Sequence, residues 1–265
     1  MSLVRIATRT VIVQALKGRT LVGDNVHDSR IGVLDIAGDG TIRTSEDKPF
    51  LAVYTDAAQA TDIDIRSMKE NGQTEILFEM GVTAAMTETN DDGVSVIVGV
   101  GVPATDRALE FLLDLLARQI ADILTDPDNA WAEMYRGLVS RIVKVERARA
   151  GNVVDGQRLA GQQIKVIAEL IEDPVKGEPL AADTPFGLFL TALDASDDQD
   201  LRTQAALMRS QLTGTNTDWQ TVQRRLGLTG DEVSALGLVP LGPENAGEVT
   251  IEVDGRPGIV VDANV

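Results

Sequence analysis

The stretch 105–124 places the tightest constraint on the fold. Leu109, Leu112, Leu113, Leu116, Ile120, Ile123 and Leu124 recur there at i, i+3, i+4, i+7, i+11, i+14 and i+15. This spacing draws one apolar face along a helix, and Asp106, Arg107, Glu110, Asp114 and Arg118 fall on the rest of the wheel. Thr105 or Asp106 can cap its start after Pro103. Asp126-Pro127 ends it, because proline has no amide to donate and clashes with the turn before it. Only one face is apolar and the length falls short of a bilayer span, so the helix is expected to bury against a sheet or a second helix rather than enter a membrane.

The chain has 265 residues, enough for one large or two smaller cores without covalent staples. It has no cysteine, which excludes disulfides, thiolate zinc sites, iron–sulfur clusters and cysteine nucleophiles. His27 is the only histidine, so a histidine-rich metal site or a serine–histidine hydrolase is not expected. Asp and Glu number 41 against 24 Lys and Arg, a net charge of −17 that works against broad contact with phosphate backbones. At 3% aromatic residues, base-stacking platforms are scarce and the core must be built from Leu, Ile, Val and Ala. The first residues show no basic segment followed by an apolar run, so an intracellular soluble protein is expected.

Taken in order, Leu3, Ile6, Ala7, Val13 and Leu16 predict a helix over 2–17, capped by Ser2 and ended near Gly18. A loop holding His27 follows, then a short apolar run at 31–36 and a Gly/Asp/Thr-rich stretch at 37–48. The run 50–54 after Pro49 reads as a buried strand. Ile76, Phe78, Met80, Val82 and Ala84 alternate with Glu75, Leu77, Glu79 and Gly81 as a long strand with one face inward. Beyond the central helix, 128–135 forms a short covering segment. Next, 140–150 and 159–172 read as two long strands joined by a Gly/Asn/Asp loop, with Val143, Val145, Ile164, Val166, Ala168 and Leu170 inward. Asp173-Pro174, Gly177 and Pro179 mark a boundary. Helices follow at 185–193, 199–212, 218–226 and 231–236, then a small hairpin over 249–253 and 259–261.

Several motifs bear on chemistry. Asp35, Asp39, Gly40, Ile42 and Glu46 fit positions of a calcium-loop template, but Ala37 and Arg43 occupy ligand positions, and a surface loop is preferred. Gly99 and Gly101 form a G-x-G without the third glycine or a phosphate-binding lysine, and read as a turn. Glu75 and Glu79 share one side of a strand and are the only carboxylate pair that an enzyme could use, but the strand period makes them solvent-facing. Residues 217–237 carry a faint helix-turn-helix pattern with Arg224 and Arg225. Its second segment bears Asp231 and Glu232 where DNA would be met, so a structural helical hairpin is preferred to a DNA-binding regulator. Arg147, Arg149 and Arg158 gather basic charge at the long hairpin of an acidic chain and are the candidate subunit-contact residues.

The order of elements, with the apolar strand PFLAVYTDAA (49–58), the long strand TEILFEMGVTAAM (74–86), the long helix and the closing strand RLAGQQIKVIAELIEDP (158–174), resembles the tail terminator, or tail completion, proteins of long-tailed bacteriophages. The resemblance covers 1–174. It implies an α/β subunit of α+β type, a mainly antiparallel sheet backed by two helices, that forms a homo-oligomeric ring, usually a hexamer, on the last ring of the tail tube. It further implies a virion protein, assembled in the host cytoplasm, whose partners are the tail tube protein and a head-completion or neck protein. Residues 175–265 are a helical extension ending in the small hairpin. No catalytic residue, cofactor or metal is expected, and another phage neck or minor tail subunit is the alternative. The acidic balance suits a lumen that conducts DNA without binding it.

Overall fold

The computed structural model describes residues 2–30, 35–36, 42–44, 46–61, 65–83, 86–101, 103, 105–154, 157–240, 249–253 and 256–261. In order these form α1 (Leu3–Leu16), β1 (Val26–Asp28), β2 (Asp35–Ile36), β3 (Ile42–Arg43), β4 (Phe50–Gln59), β5 (Gln73–Thr83), β6 (Thr87–Thr89), β7 (Ser95–Ile97) and α2 (Asp106–Leu124). They continue with α3 (Ala130–Leu138), β8 (Val139–Val154), β9 (Gln157–Leu170), α4 (Pro185–Asp194), α5 (Gln199–Leu212), α6 (Asp218–Leu226), α7 (Gly230–Ala235), β10 (Val249–Val253) and β11 (Arg256–Val261). The architecture is α+β. A five-stranded sheet has the order β1-β4-β5-β9-β8, antiparallel except that β1 runs parallel to β4. β2-β3, β6-β7 and β10-β11 are two-stranded antiparallel pairs.

Two helices back the sheet. α1 lies over β1 and β4, and α2 lies over β5 and β9. Thr105 accepts the Ala108 amide at 3.3 Å to start α2, as its position in the sequence predicts. Leu109, Leu112, Leu113, Leu116, Ile120 and Leu124 are buried beneath it. Behind this layer α3 packs on α1, α4 on α3, and α5 on α4. Phe186, Phe189, Leu190, Leu193, Leu201, Ala205 and Met208 of α4 and α5 join the same core as the sheet and α1, so the first two helices beyond 174 share the core of what precedes them.

α1 is buried over most of its circumference, from Val4 and Ala7 through Val11, Ile12 and Val13 to Ala15 and Leu16. A helix so enclosed cannot leave its terminal amides to water. Asp173 accepts from the Leu3 amide at 2.9 Å and the Val4 amide at 3.0 Å, and Ser2 Oγ accepts from Arg5. At the other end, buried Asn129 donates Nδ2 to the Ala15 carbonyl at 3.1 Å while its Oδ1 caps α3.

Three expectations need correction. His27 lies in strand β1 rather than a loop, since its backbone pairs with Ala52. The strand expected at 50–54 runs on to Gln59, buried in its first half and exposed in its second. Val143 and Val145 are not buried in the core. Both are exposed, because β8 is the sheet's edge and the helix layer ends over β9. The Gly99 and Gly101 turn stands as a turn, with φ of 73° at both. Gly72 is required by close approach: its φ is 54°, and a Cβ would lie 2.4 Å from the Gln59 carbonyl oxygen.

Asp173→Ala is expected to lower stability by about 1–2 kcal/mol, because it strips a buried helix of its N-terminal acceptor; urea denaturation followed by circular dichroism measures it, and an unchanged midpoint refutes the role. Leu116→Asp is expected to cost about 4 kcal/mol or more and to leave no folded protein, since an unpaired charge enters the core. A soluble variant with native circular dichroism would show that α2 is not the support of β5 and β9.

Candidate interaction surface

The open face of the sheet, opposite the helices, is a ladder of charges. Glu75 of β5 pairs with Lys165 of β9 at 2.9 Å, and on β8 Lys144 pairs with Glu146 at 2.7 Å. Lys144 holds the Glu146 carboxyl below its ordinary range. Arg141 of β8 meets Glu169 of β9 through two bonds of 2.6 and 2.7 Å. The Glu75–Lys165 and Arg141–Glu169 pairs cross between strands and Lys144–Glu146 runs along one, all at a solvated surface where ion pairs contribute little to stability.

Glu79 differs from its neighbours. It is half-buried, accepts from Gln163 Nε2 at 2.7 Å, and burial raises its carboxyl above the ordinary value. Tyr54 stands beside it, its phenol raised by burial and by the Glu79 charge, and donates to the Arg30 carbonyl at 2.8 Å. Glu75 is committed to Lys165, so the two carboxylates of the sequence pair sit in unlike environments. Sequence period alone assigns Glu79 to solvent; its burial comes from Tyr54 on the neighbouring strand.

The other sequence motifs resolve into structural contacts. Glu46 turns inward to Arg30 at 2.5 Å and His27 at 3.4 Å, which employs the last position of the calcium-loop template as an anchor. Asp39 and Gly40 lie outside the described residues. Arg225 is held by Glu172 and Glu178 on the segment after β9, and Arg66 is held by Glu232. The Thr229 amide, then the Arg66 guanidinium, hold the Glu232 carboxyl down at about 2. The Arg225 pairs dock α6 on the segment after β9, and the Arg66–Glu232 pair, with the Arg66 amide donating to the Leu226 carbonyl at 3.1 Å, docks α6 and α7 on the 65–69 segment; Arg224 is exposed. A concavity of about 410 Å³ at the end of the sheet is lined by Gln59, Glu70, Asn71, Ser140, Glu169 and Glu172, and Glu169 is already committed to Arg141. Among the described residues, no group of three or more His, Asp or Glu is placed to hold a metal ion, and no helix is long and apolar enough to cross a membrane.

The surface that stands out is the edge strand β8. Ile142, Val143 and Val145 are 53%, 42% and 39% exposed, and on the neighbouring helix Phe111 and Leu115 are 55% and 38% exposed. Arg149 ties the strand to α2 through Glu110 and Asp114. Arg147 is exposed and enters no ion pair among the described residues. The side chain of Arg158, the third candidate contact residue, lies outside the described residues. The basic grouping legible in the sequence therefore divides: Arg149 is a brace within the subunit, and Arg147 stays exposed and unpaired among the described residues. The apolar strip beside them was missed because alternation cannot tell a covered strand face from an uncovered one. Neither the protein-family models nor the curated proteins searched match this chain.

Raising the pH through the Glu79 range is expected to lower stability. A carboxyl whose value is raised on folding holds its proton in the folded state over a window where the unfolded chain has lost it, and stability falls as pH climbs that window. Glu79→Gln should flatten this fall and leave the protein at least as stable at neutral pH. Denaturation midpoints between pH 4 and pH 8 test this, and an unaltered slope would refute it.

Proposed function

We propose that this chain is a structural subunit of a long-tailed bacteriophage, a tail terminator that assembles as a ring at the head-proximal end of the tail tube. In this reading the ring ends tube polymerisation and offers the surface on which the head joins. The observation that carries it is β8, a 16-residue edge strand with three exposed aliphatic side chains and, among the described residues, no strand paired on its outer side. An uncovered strand of this length is a ready template for pairing with another chain, and a protein that keeps one has a use for it.

Supporting it is the order of elements, with one helix before the sheet strands, one between them and a long closing hairpin, which is the order that carries the resemblance to tail terminators. The net charge of −17 agrees with a lumen whose walls repel the phosphate backbone, so DNA passes without sticking. The partners are further copies of the chain, the tail tube protein on one side and a head-completion or neck protein on the other. No residue is assigned a catalytic role.

Electron microscopy of the purified protein mixed with its tail tubes tests the reading. A ring-shaped cap at one end of each tube, with tube length fixed thereafter, is the expected image. Tubes that continue to lengthen with bare ends in excess protein would refute a terminator.

A further inference from the structure

We propose that, in the ring, the sheet of one copy continues into the next, with β8 adding antiparallel to the outer edge of β4 over residues 56–59. This rests on the ring-forming reading above and specifies its contact. The sheet has two edges. At one, β8 has β9 on its inner side and, among the described residues, no ladder partner on its outer side; β3 lies against it without pairing, and residues 141–149 are exposed. At the other, β1 covers β4 only at Leu51, Ala52 and Val53. The Arg5 guanidinium donates to the Thr55 carbonyl at 3.0 Å, and from 56 to 59 the strand is exposed with, among the described residues, no strand paired outside it.

Strand direction and register make these two edges fit. From β4 through β5 and β9 to β8 each neighbour is antiparallel, so β8 runs opposite to β4. A second copy shifted sideways in the plane of the sheet, without being turned over, thus presents antiparallel edges, the pairing with the better hydrogen-bond geometry. Thr55, Ile76, Val166 and Val145 share one row across the sheet, and Ala58, Thr74, Ala168 and Ile142 share another. The uncovered part of β4 and the apolar part of β8 therefore occupy the same rows. Both also carry register irregularities within those rows, at 55–58 and at 142–144.

Charge selects a second copy as the occupant. At a net charge of −17, copies of this chain repel over most of their surface. In the row between the two just named, β8 carries Lys144, opposite Ile167 and Glu75. The corresponding stretch of β4 carries Asp56, whose charge acts on Tyr54, Glu79 and Lys165 of the open face. Asp56 enters no ion pair among the described residues. Edge-to-edge contact brings Lys144 of one copy to Asp56 of the next and covers Ile142 and Val145. Because the two patches differ, the contact is heterologous, and its repetition closes a ring.

The chain has no cysteine, so introduced thiols report the contact without background. Ile142→Cys and Ala58→Cys, both at exposed positions, are made singly and together and oxidised. The double variant is expected to give a disulfide ladder on denaturing gels that ends at the ring's subunit number, and each single variant none. Separately, Lys144→Asp and Asp56→Lys should each weaken association by about tenfold and should restore it when combined, with circular dichroism unchanged throughout. A ring that yields no ladder in the double variant overturns this contact and leaves the ring reading standing. A cross-linked cyclic oligomer that leaves tail tubes uncapped overturns the terminator reading and keeps the contact. Cross-linking of Ile142→Cys alone means that β8 pairs with itself about a two-fold axis, and overturns the proposal. Monomers at every concentration overturn it as well.

Discussion

The rest of the structure depends on how the enclosed helix α1 is closed off at both ends. Nine of its fourteen residues are buried, so each terminal backbone group that water cannot reach must find a partner in the chain. The partners come from far away in sequence: Asp173 for the Leu3 and Val4 amides, and Asn129 for the Ala15 carbonyl. Asn71 adds a bond from its Nδ2 to the Ile171 carbonyl at 2.6 Å, which steadies the segment bearing Asp173. Closing α1 therefore fixes the exit of β9 and the entrance of α3, and those two points set where the long hairpin and the later helices go. Removing one such partner costs more than a surface hydrogen bond, since the group left behind stays buried.

With α1 and α2 filling one face, the sheet has no helix to spare for its last strand. α2 covers β5 and β9 and is tied to β8 by Arg149, which bridges to Glu110 and Asp114. A bridge between exposed side chains contributes little to stability but holds the strand at a defined angle to the helix. β8 is thus braced without being buried, and its aliphatic side chains stay accessible. The opposite face balances Glu75, Lys165, Lys144 and Glu146 among themselves, so the β8 side is close to neutral in a strongly acidic chain.

How much of this was legible in the sequence depends on whether the cause is local. The start of α2 could be read because its cap is local: Thr105 sits where the first-turn amides need an acceptor. The alternation of Ile76, Phe78 and Met80 gave β5 its inward face for the same reason. The exposure of Val143 and Val145 could not be read, since the same period describes a strand under a helix and a strand past its edge. Arg147 and Arg149 were visible as charge, but which of them is braced depends on α2 lying alongside. Asp56 carried no signal, since its interest lies in where β1 stops covering β4. His27 looked like a loop residue because a three-residue parallel strand has too little sequence to announce itself.

An exposed edge this long invites indiscriminate pairing, and β8 carries the usual defences against it. Its ladder with β9 is irregular between Val139 and Arg141 and again between Ile142 and Lys144, and four of its side chains are Arg or Lys. Irregular register and cations spoil a flat template for an arbitrary strand. They do not spoil it for an edge with a matching irregularity and an opposite charge in the same row. The outer part of β4 has both, a register shift between Thr55 and Ala58 and the carboxylate of Asp56 within it. The features that protect the strand from aggregation are therefore the same ones that would make its pairing selective, because an edge that repels most partners still admits the few that share its shape and complement its charge.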